Sequence, residues 1–564
     1  MAIPDDATLL DCFLTHEAEQ RDKVYLVQPL PDGAVIEYTW GEAGDQARRM
    51  AAYFQTLGLP KGSRIALLGK NSAYWIIADL ATIMSGMVSV PLFPMYSGAS
   101  ARYAIEHSEA KLLVLGKLDG RNDNWPSIRA CLPPGLPMLG LPLSPALAIP
   151  QWQQIGTQHA PLRQLHQPQE NELSTIVYTS GSTGVPKGVM HSHNSFAATI
   201  RCVQRGGWWR ATPQDRGFSY LPLAHMAERI SVESSSIAFG YPVYFAESQE
   251  TFIQDLQRAR PTIFFSVPRL WTKFYLGVNE KLPPAKQKLL FALPLISGLI
   301  KKKILRQLGL DHVRIAVTAS APLPLRLMRW YRGLGLELLD VYGMSENAAI
   351  SHATRPGYSR EGTVGQPHPG VEARIAANGE LEVKSPAQML GYYKLPEFSA
   401  KCTTPDGFLR TGDCGEIDAD GYLRITGRVK DIFKTSSGKY VAPVPIEEKL
   451  FNHPRFEAVC VVGSEQPTPF ALLLLAVDTS EALQKGTLSR GVLTAELETL
   501  RRNVNASIEH HERLQYLVVV KDGWSVENAM LTPTLKIRRS VIEQHYLPLA
   551  PNWAALNQGV VWEN

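Results

Sequence analysis

Two hydrophobic rhythms alternate between residues 40 and 115. EAGDQARRMAAYFQTLG (42–58) and AYWIIADLATIMSG (73–86) place apolar residues at helical spacing, whereas SRIALLG (63–69) and VSVPLF (88–93) are short apolar runs that read as strands. The uncharged run from Leu80 to Tyr96 carries Gly86, Pro91 and Pro94, so it predicts a buried helix passing into a buried strand, not a membrane span. This alternation predicts a layered α/β architecture. The proline-rich stretch CLPPGLPMLGLPLSPALAIP (131–150) reads as an irregular surface connection, and STIVYT (174–179) as a strand. From about residue 370 the pattern shifts to short strands and tight turns, with hairpin signals at Asn378-Gly379 and Asp420-Gly421. Beyond Asp431 the tail mixes a helical stretch, PIEEKLFNH, with strand-like FEAVCVVG, FALLLLAVD and LQYLVVV. No internal repeat or low-complexity tract interrupts these elements.

Composition narrows the function. The chain has 564 residues, 45% hydrophobic and 20% charged, as expected of a globular protein with more than one domain. A net charge of +4 over this length is too weak for a dedicated nucleic-acid binder. The six cysteines (Cys12, Cys131, Cys202, Cys402, Cys414, Cys460) are scattered without a C-x-x-C spacing, which fits reduced thiols of a cytoplasmic protein and not a zinc site. The opening MAIPDDATLLDCF is acidic and unlike a secretory signal.

The candidate chemistry begins at residues 178–188, YTSGSTGVPKG. A Walker A loop fails here, because Pro186 stands where its second glycine belongs and Gly188 follows Lys187. The stretch still suits phosphate. Gly181 and Gly184 allow backbone N–H groups to approach an anion, Thr179, Ser180, Ser182 and Thr183 offer hydroxyls, and Lys187 offers charge.

This loop resembles the phosphate loop of the adenylate-forming superfamily, and other motifs in the same order strengthen the resemblance: DVYGMSEN (340–347), FLRTGD (408–413), ITGRVKDIFKTSSGKYVAP (425–443) and LTPTLKIRR (531–539). The resemblance implies a large multi-layered N-terminal α/β domain (1–429) with mixed sheets, and a smaller mobile α+β domain (430–564). It implies ATP, Mg²⁺ and CoA as reactants, and two half-reactions: a carboxylate attacks the α-phosphate of ATP, and a thiol then displaces AMP. By the same resemblance Tyr342 stacks on adenine, with Gly343 and Ser345 beside the nucleotide. Glu346 holds Mg²⁺, Asp413 accepts the ribose hydroxyls, and Arg428 contacts the nucleotide. Ser320-Ala321-Pro322 flanks the adenine, with Ser320 where glycine is common. Lys536 is the adenylation lysine, Lys430 the hinge, and Gly438 lies near the thiol.

LPLAHMAERI (221–230) and PTIFFSVPRLW (261–271) look like long-chain fatty acyl-CoA synthetases, with His225 near the reacting carboxylate. The implied function is a fatty acid:CoA ligase. Alternatives are acyl transfer to a carrier protein, lactone formation from a hydroxy acid, or a non-catalytic acyl-nucleotide sensor. Residues 281–310 hold Lys281, Lys286, Lys288, Lys301, Lys302, Lys303 and Arg306 around an apolar LLFALPLISGLI, with no Asp or Glu. Such a segment suits either a peripheral membrane contact or a solvated helical hairpin with basic tips.

Overall fold

The computed structural model describes residues 3–121, 123–179, 185–451, 453–525, 528–532 and 537–563. Its largest sheet has seven strands in the order Gly391–Tyr392, Lys187–Ser192, Leu173–Thr179, Val88–Leu92, Arg64–Leu68, Leu112–Leu115 and Met138–Gly140. The five from Leu173–Thr179 onward run parallel, while the Lys187–Ser192 strand turns back antiparallel and carries the two-residue edge. Both faces are covered. Ile65, Leu67, Leu112 and Val114 join one buried cluster, and Ala66, Leu68, Leu113 and Leu115 join another. Burial on both sides explains why these strands read as continuous apolar runs. The helix Ala73–Met84 and the strand Val88–Leu92 are almost wholly buried, as the uncharged run predicts.

The proline-rich stretch differs from expectation. Met138–Gly140 pairs parallel with Leu113–Leu115, and Leu139 and Leu141 are buried. A strand of three residues set among prolines is too short to leave a periodic signal.

Alongside lie a four-stranded sheet built on Val24–Pro29 and a five-stranded sheet in which Ile263–Ser266, Ile315–Thr318 and Leu338–Tyr342 run parallel. An antiparallel meander follows (Glu372–Ile375, Glu380–Lys384, Leu409–Ile417, Leu423–Arg428), and its Asn378-Gly379 and Asp420-Gly421 turns match the sequence reading. The tail forms its own four-stranded sheet, Phe456–Val462 with Phe470–Leu475, Leu517–Val519 and Val560–Trp562. Val459 and Val461 face one apolar cluster while Cys460 and Val462 face the other. Among the described residues no helix is long and apolar enough to cross a membrane.

The large part is pinned by buried charge. The helix Met226–Glu228 continues as a six-residue π-helix, Arg229–Ser234, and ends at Gly240 with φ of 77°. Arg229, 3% exposed, donates to Asp79, to Glu233 at 3.1 Å and to Thr175 Oγ1 at 3.0 Å, between the rings of Trp75 and Phe196. Next to it Glu228 is also buried. Its Oε1 accepts from Ser219 Oγ at 2.9 Å, Tyr220 N at 3.0 Å and Asn71 Nδ2 at 3.3 Å, while Oε2 meets no partner among the described residues. Burial pushes this carboxyl up to about 8, so the neutral acid is the form the site holds at neutral pH.

The unfolded carboxyl titrates near the ordinary glutamate value, so between about pH 5 and pH 8 the folded chain retains a proton that the unfolded chain has lost. Stability from this group therefore falls as pH rises through that window. Glu228→Gln keeps the shape and removes the proton. Urea unfolding at the two ends of the window should show a pH dependence flatter by a few kcal/mol at most in the variant; an unchanged slope would contradict the neutral-acid assignment.

Candidate active site

One cavity of about 4280 Å³ runs between the ends of these sheets and the C-terminal sheet. It is several times larger than a pocket for one small ligand, so it can hold more than one reactant. Most of the sequence-derived site residues face it. Thr179, Lys187 and His225 line it. So do Ser320, Ala321 and Pro322, then Tyr342, Gly343, Ser345 and Glu346, and finally Asp413, Arg428 and Lys430. Gly438 does not line it: it sits in the turn between Phe433–Lys434 and Tyr440–Val441 with φ of 83°, a conformation that favours glycine. Ser180, Gly181, Ser182, Thr183 and Gly184 lie outside the described residues, and so does Lys536. Thr532 and Ile537, on either side of residues 533–536, line the cavity.

Strand pairing delivers the two ends of the phosphate-type loop. Thr179 pairs with Lys187 and Tyr178 with Gly188. A Cβ on Gly188 would stand 2.7 Å from the Ile176 side chain, which explains the glycine after Lys187. The Lys187 ammonium lies 4.5 Å from the centre of the Phe398 ring. Burial and then the nearby Lys430 lower its pKa.

Asp413 joins three segments. Its strand pairs with Leu423–Arg428 so that Asp413 stands opposite Arg428. Tyr342 donates its hydroxyl to Asp413 Oδ2 at 2.6 Å, and Arg428 Nε reaches Oδ1 at 3.0 Å. Burial, then the Asp413 carboxylate, hold the Tyr342 phenol well above its ordinary pKa, and the same carboxylate raises Arg428. Each carboxylate oxygen thus takes one donor and keeps acceptor capacity for another.

Glu346 sits in the short turn Ser345–Asn347, and its Oε1 accepts from Tyr392 Oη at 2.7 Å. The same turn is held by His191, whose Nε2 donates to the Ser345 carbonyl at 2.6 Å; burial lowers this imidazole to about 4 and keeps it neutral. Gly343 has no space for a side chain, since a Cβ would lie 2.3 Å from the Ala349 carbonyl carbon. Sequence reasoning missed Tyr392 and His191, because each meets its partner across a long stretch of chain and neither carries a motif of its own.

His225 caps the helix at Met226, its Nδ1 accepting from Ala227 N at 3.2 Å, so the ring has a structural task while facing the cavity. The cavity wall also includes the apolar side chains of Ile200, Val203, Trp209, Ile230 and Ala349. A Mg²⁺ ion carried mainly by phosphate would find a carboxylate here in Glu346, which lines the cavity; among the described residues no group of three His, Cys, Asp or Glu stands together.

The cavity thus joins the paired ends of the 178–188 stretch, a carboxylate backed by a tyrosine and an arginine, and an apolar wall. Residues 13–393 match the model of the AMP-binding enzyme family and residues 430–549 that of the AMP-binding enzyme C-terminal domain, and the chain belongs to this family. It is 28% identical to the long-chain-fatty-acid–CoA ligase FadD15 of Mycobacterium bovis, over 94% of this chain and 95% of the relative. It is also 28% identical to the peroxisomal long chain acyl-CoA synthetase 6 of Arabidopsis thaliana, over 97% of this chain and 86% of the relative. Among solved structures, an anthranilate CoA ligase in complex with anthranoyl-AMP superposes with a TM-score of 0.77 at 21% identity, covering 98% of this chain and 99% of that one, a likeness of fold.

Ser320 has φ of 77°, the left-handed region that disfavours a side chain. Ser320→Gly should therefore hold or raise stability, by about 0.5–1 kcal/mol, and Ser320→Val should lower it by about 1–2 kcal/mol. Urea midpoints test this, and equal loss from both changes would show that the serine hydroxyl and not the backbone governs the position.

Proposed function

We propose that the protein is a fatty acid:CoA ligase, converting a long-chain fatty acid, ATP and CoA into acyl-CoA, AMP and pyrophosphate through an acyl-AMP intermediate. The observation that carries this reading is the continuity of one cavity between Asp413, Tyr342 and Arg428 on one side and an apolar wall on the other. A carboxylate is a poor electrophile because it is anionic and has no leaving group. Transfer of AMP to it supplies one, and the protein's task is to bring two anions together and stabilise charge on phosphorus.

In this reading Thr179, Lys187 and the loop residues 180–184 receive the phosphates. Asp413 accepts the ribose hydroxyls, a task for which an ionised, acceptor-only group held by Tyr342 and Arg428 is suited. The Tyr342 ring stacks against adenine between Gly343, Ser345 and residues 320–322. Glu346 holds Mg²⁺, which when bound offsets phosphate charge; Tyr392 keeps the carboxylate turned toward the cavity. Lys536 bridges the attacking carboxylate and the α-phosphate. The unit from residue 430 onward rotates about Lys430 between the half-reactions, bringing the Gly438 turn toward the thiol. The enzyme works in the cytoplasm and meets its acid at a membrane surface through residues 281–310.

Two variants test the half-reactions separately. Lys536→Ala should lower pyrophosphate release by about 10²–10³-fold or more while sparing CoA attack on supplied acyl-AMP. Near-normal pyrophosphate release would overturn the lysine's role. Lys430→Pro fixes φ at the proposed hinge, so adenylation should survive and thioester formation fail. Equal damage to both steps, measured with supplied acyl-AMP against pyrophosphate release, would make position 430 structural.

A further inference from the structure

The basic stretch folds as two helices, Pro284–Phe291 and Pro294–Gln307, joined by a tight turn. The large apolar side chains exposed on it gather about that turn: Leu289 at 66% exposure, Leu293 at 42%, Ile296 at 40% and Leu299 at 70%. The exposure belongs to a fixed element. Gln287 is buried and donates to Asn279 Oδ1 at 2.6 Å and to the Leu282 carbonyl at 2.7 Å, while accepting from Trp330 Nε1 at 2.8 Å. Ile304 and Leu308 are packed into the core below. Lys302 follows Leu299 by three residues, so it rides one helical turn behind the apolar tip on the same face, whereas Lys303 falls with Ile300 and Ile304 on the side that lines the cavity. Arg306 shares Asp311 at 3.5 Å, but none of Lys281, Lys286, Lys288, Lys301, Lys302 and Lys303 enters a salt bridge among the described residues. The other side of the hairpin faces inward. Leu290, Ile300 and Ile304 line the same cavity that holds the nucleotide-facing residues, and Phe274, Phe252 and Tyr220 line it too; the Phe252 ring lies 6.4 Å from Phe274 and 5.1 Å from Tyr220.

We propose that this hairpin rests on an anionic phospholipid bilayer, its leucines in the interface and its lysines at the phosphates, and that the acyl chain passes from the bilayer beneath the hairpin into the cavity. The proposal rests on the fatty-acid reading and deepens it by naming the partner and the route. Charge selects the occupant. The exposed Lys286, Lys288 and Lys302 around the apolar tip complement an anionic surface, whereas a second copy apposed through this face would set those lysines against one another.

Vesicles of phosphatidylcholine with one-third phosphatidylglycerol, and of phosphatidylcholine alone, provide the test. The protein should co-sediment with the anionic vesicles at low salt and be released at high salt. The combined variant Leu289→Ser, Leu293→Ser, Ile296→Ser and Leu299→Ser should bind about tenfold or more weakly. It should release pyrophosphate normally with dissolved octanoate, and more slowly with palmitate carried in the vesicles. Ile300→Trp narrows the inner side: it should bind vesicles as the unmodified protein does yet lose turnover of vesicle-borne palmitate. Absence of co-sedimentation at low salt, or pelleting without vesicles through self-association, overturns the docking. Full turnover of vesicle-borne palmitate by Ile300→Trp overturns the route. Sedimentation needs no turnover, so failure to activate any fatty acid would strike the ligase reading separately.

Discussion

The arginine at position 229 is the constraint around which the large part of the molecule is arranged. Its guanidinium reaches the helix Ala73–Met84 through Asp79, the strand that leads into the phosphate-type loop through Thr175, and its own π-helix through Glu233. These are the elements that position the loop ends and His225. A guanidinium with so little exposure is costly to bury, and the cost is met only when its partners are in place. The rings of Trp75 and Phe196 fill the remaining space. The network therefore fixes relative position more than it adds stability, which suits a site whose parts come from distant segments.

A second carboxylate plays the corresponding part where the meander meets the five-stranded sheet. Asp413 sits opposite Arg428 on the meander and takes the hydroxyl of Tyr342 from the five-stranded sheet. The strand Leu423–Arg428 then leads directly to Lys430 and the C-terminal unit. A change at Asp413 can thus reach the segment about which the C-terminal unit is proposed to turn, through a continuous chain of one hydrogen bond, one ion pair and one strand.

Much of the fold was legible because strands buried on both faces write uninterrupted apolar runs, as Val88–Leu92 and Phe456–Val462 do, and because Asn-Gly and Asp-Gly mark their turns. The edge strand Met138–Gly140 was not legible, its three residues hidden among prolines. Motif resemblance named Asp413, Tyr342 and Arg428, which the structure brings together, but not the bonds that join them. Tyr392 and His191 left no trace, because their bonds to Glu346 and Ser345 join segments far apart in the chain and neither carries a motif of its own. For the basic stretch, composition gave the charges, and only the folded hairpin separates the exposed leucines from the side chains that turn inward.

The chemistry at the centre of this account is attack of a carboxylate oxygen on the α-phosphorus, and that oxygen can be followed. With palmitate labelled by heavy oxygen in its carboxylate, ATP and CoA, mass spectrometry of the products should find one labelled oxygen in AMP and a palmitoyl thioester of CoA formed in equal amount. Label appearing in inorganic phosphate, or AMP formed without label, would contradict acyl adenylation as the reaction of this enzyme.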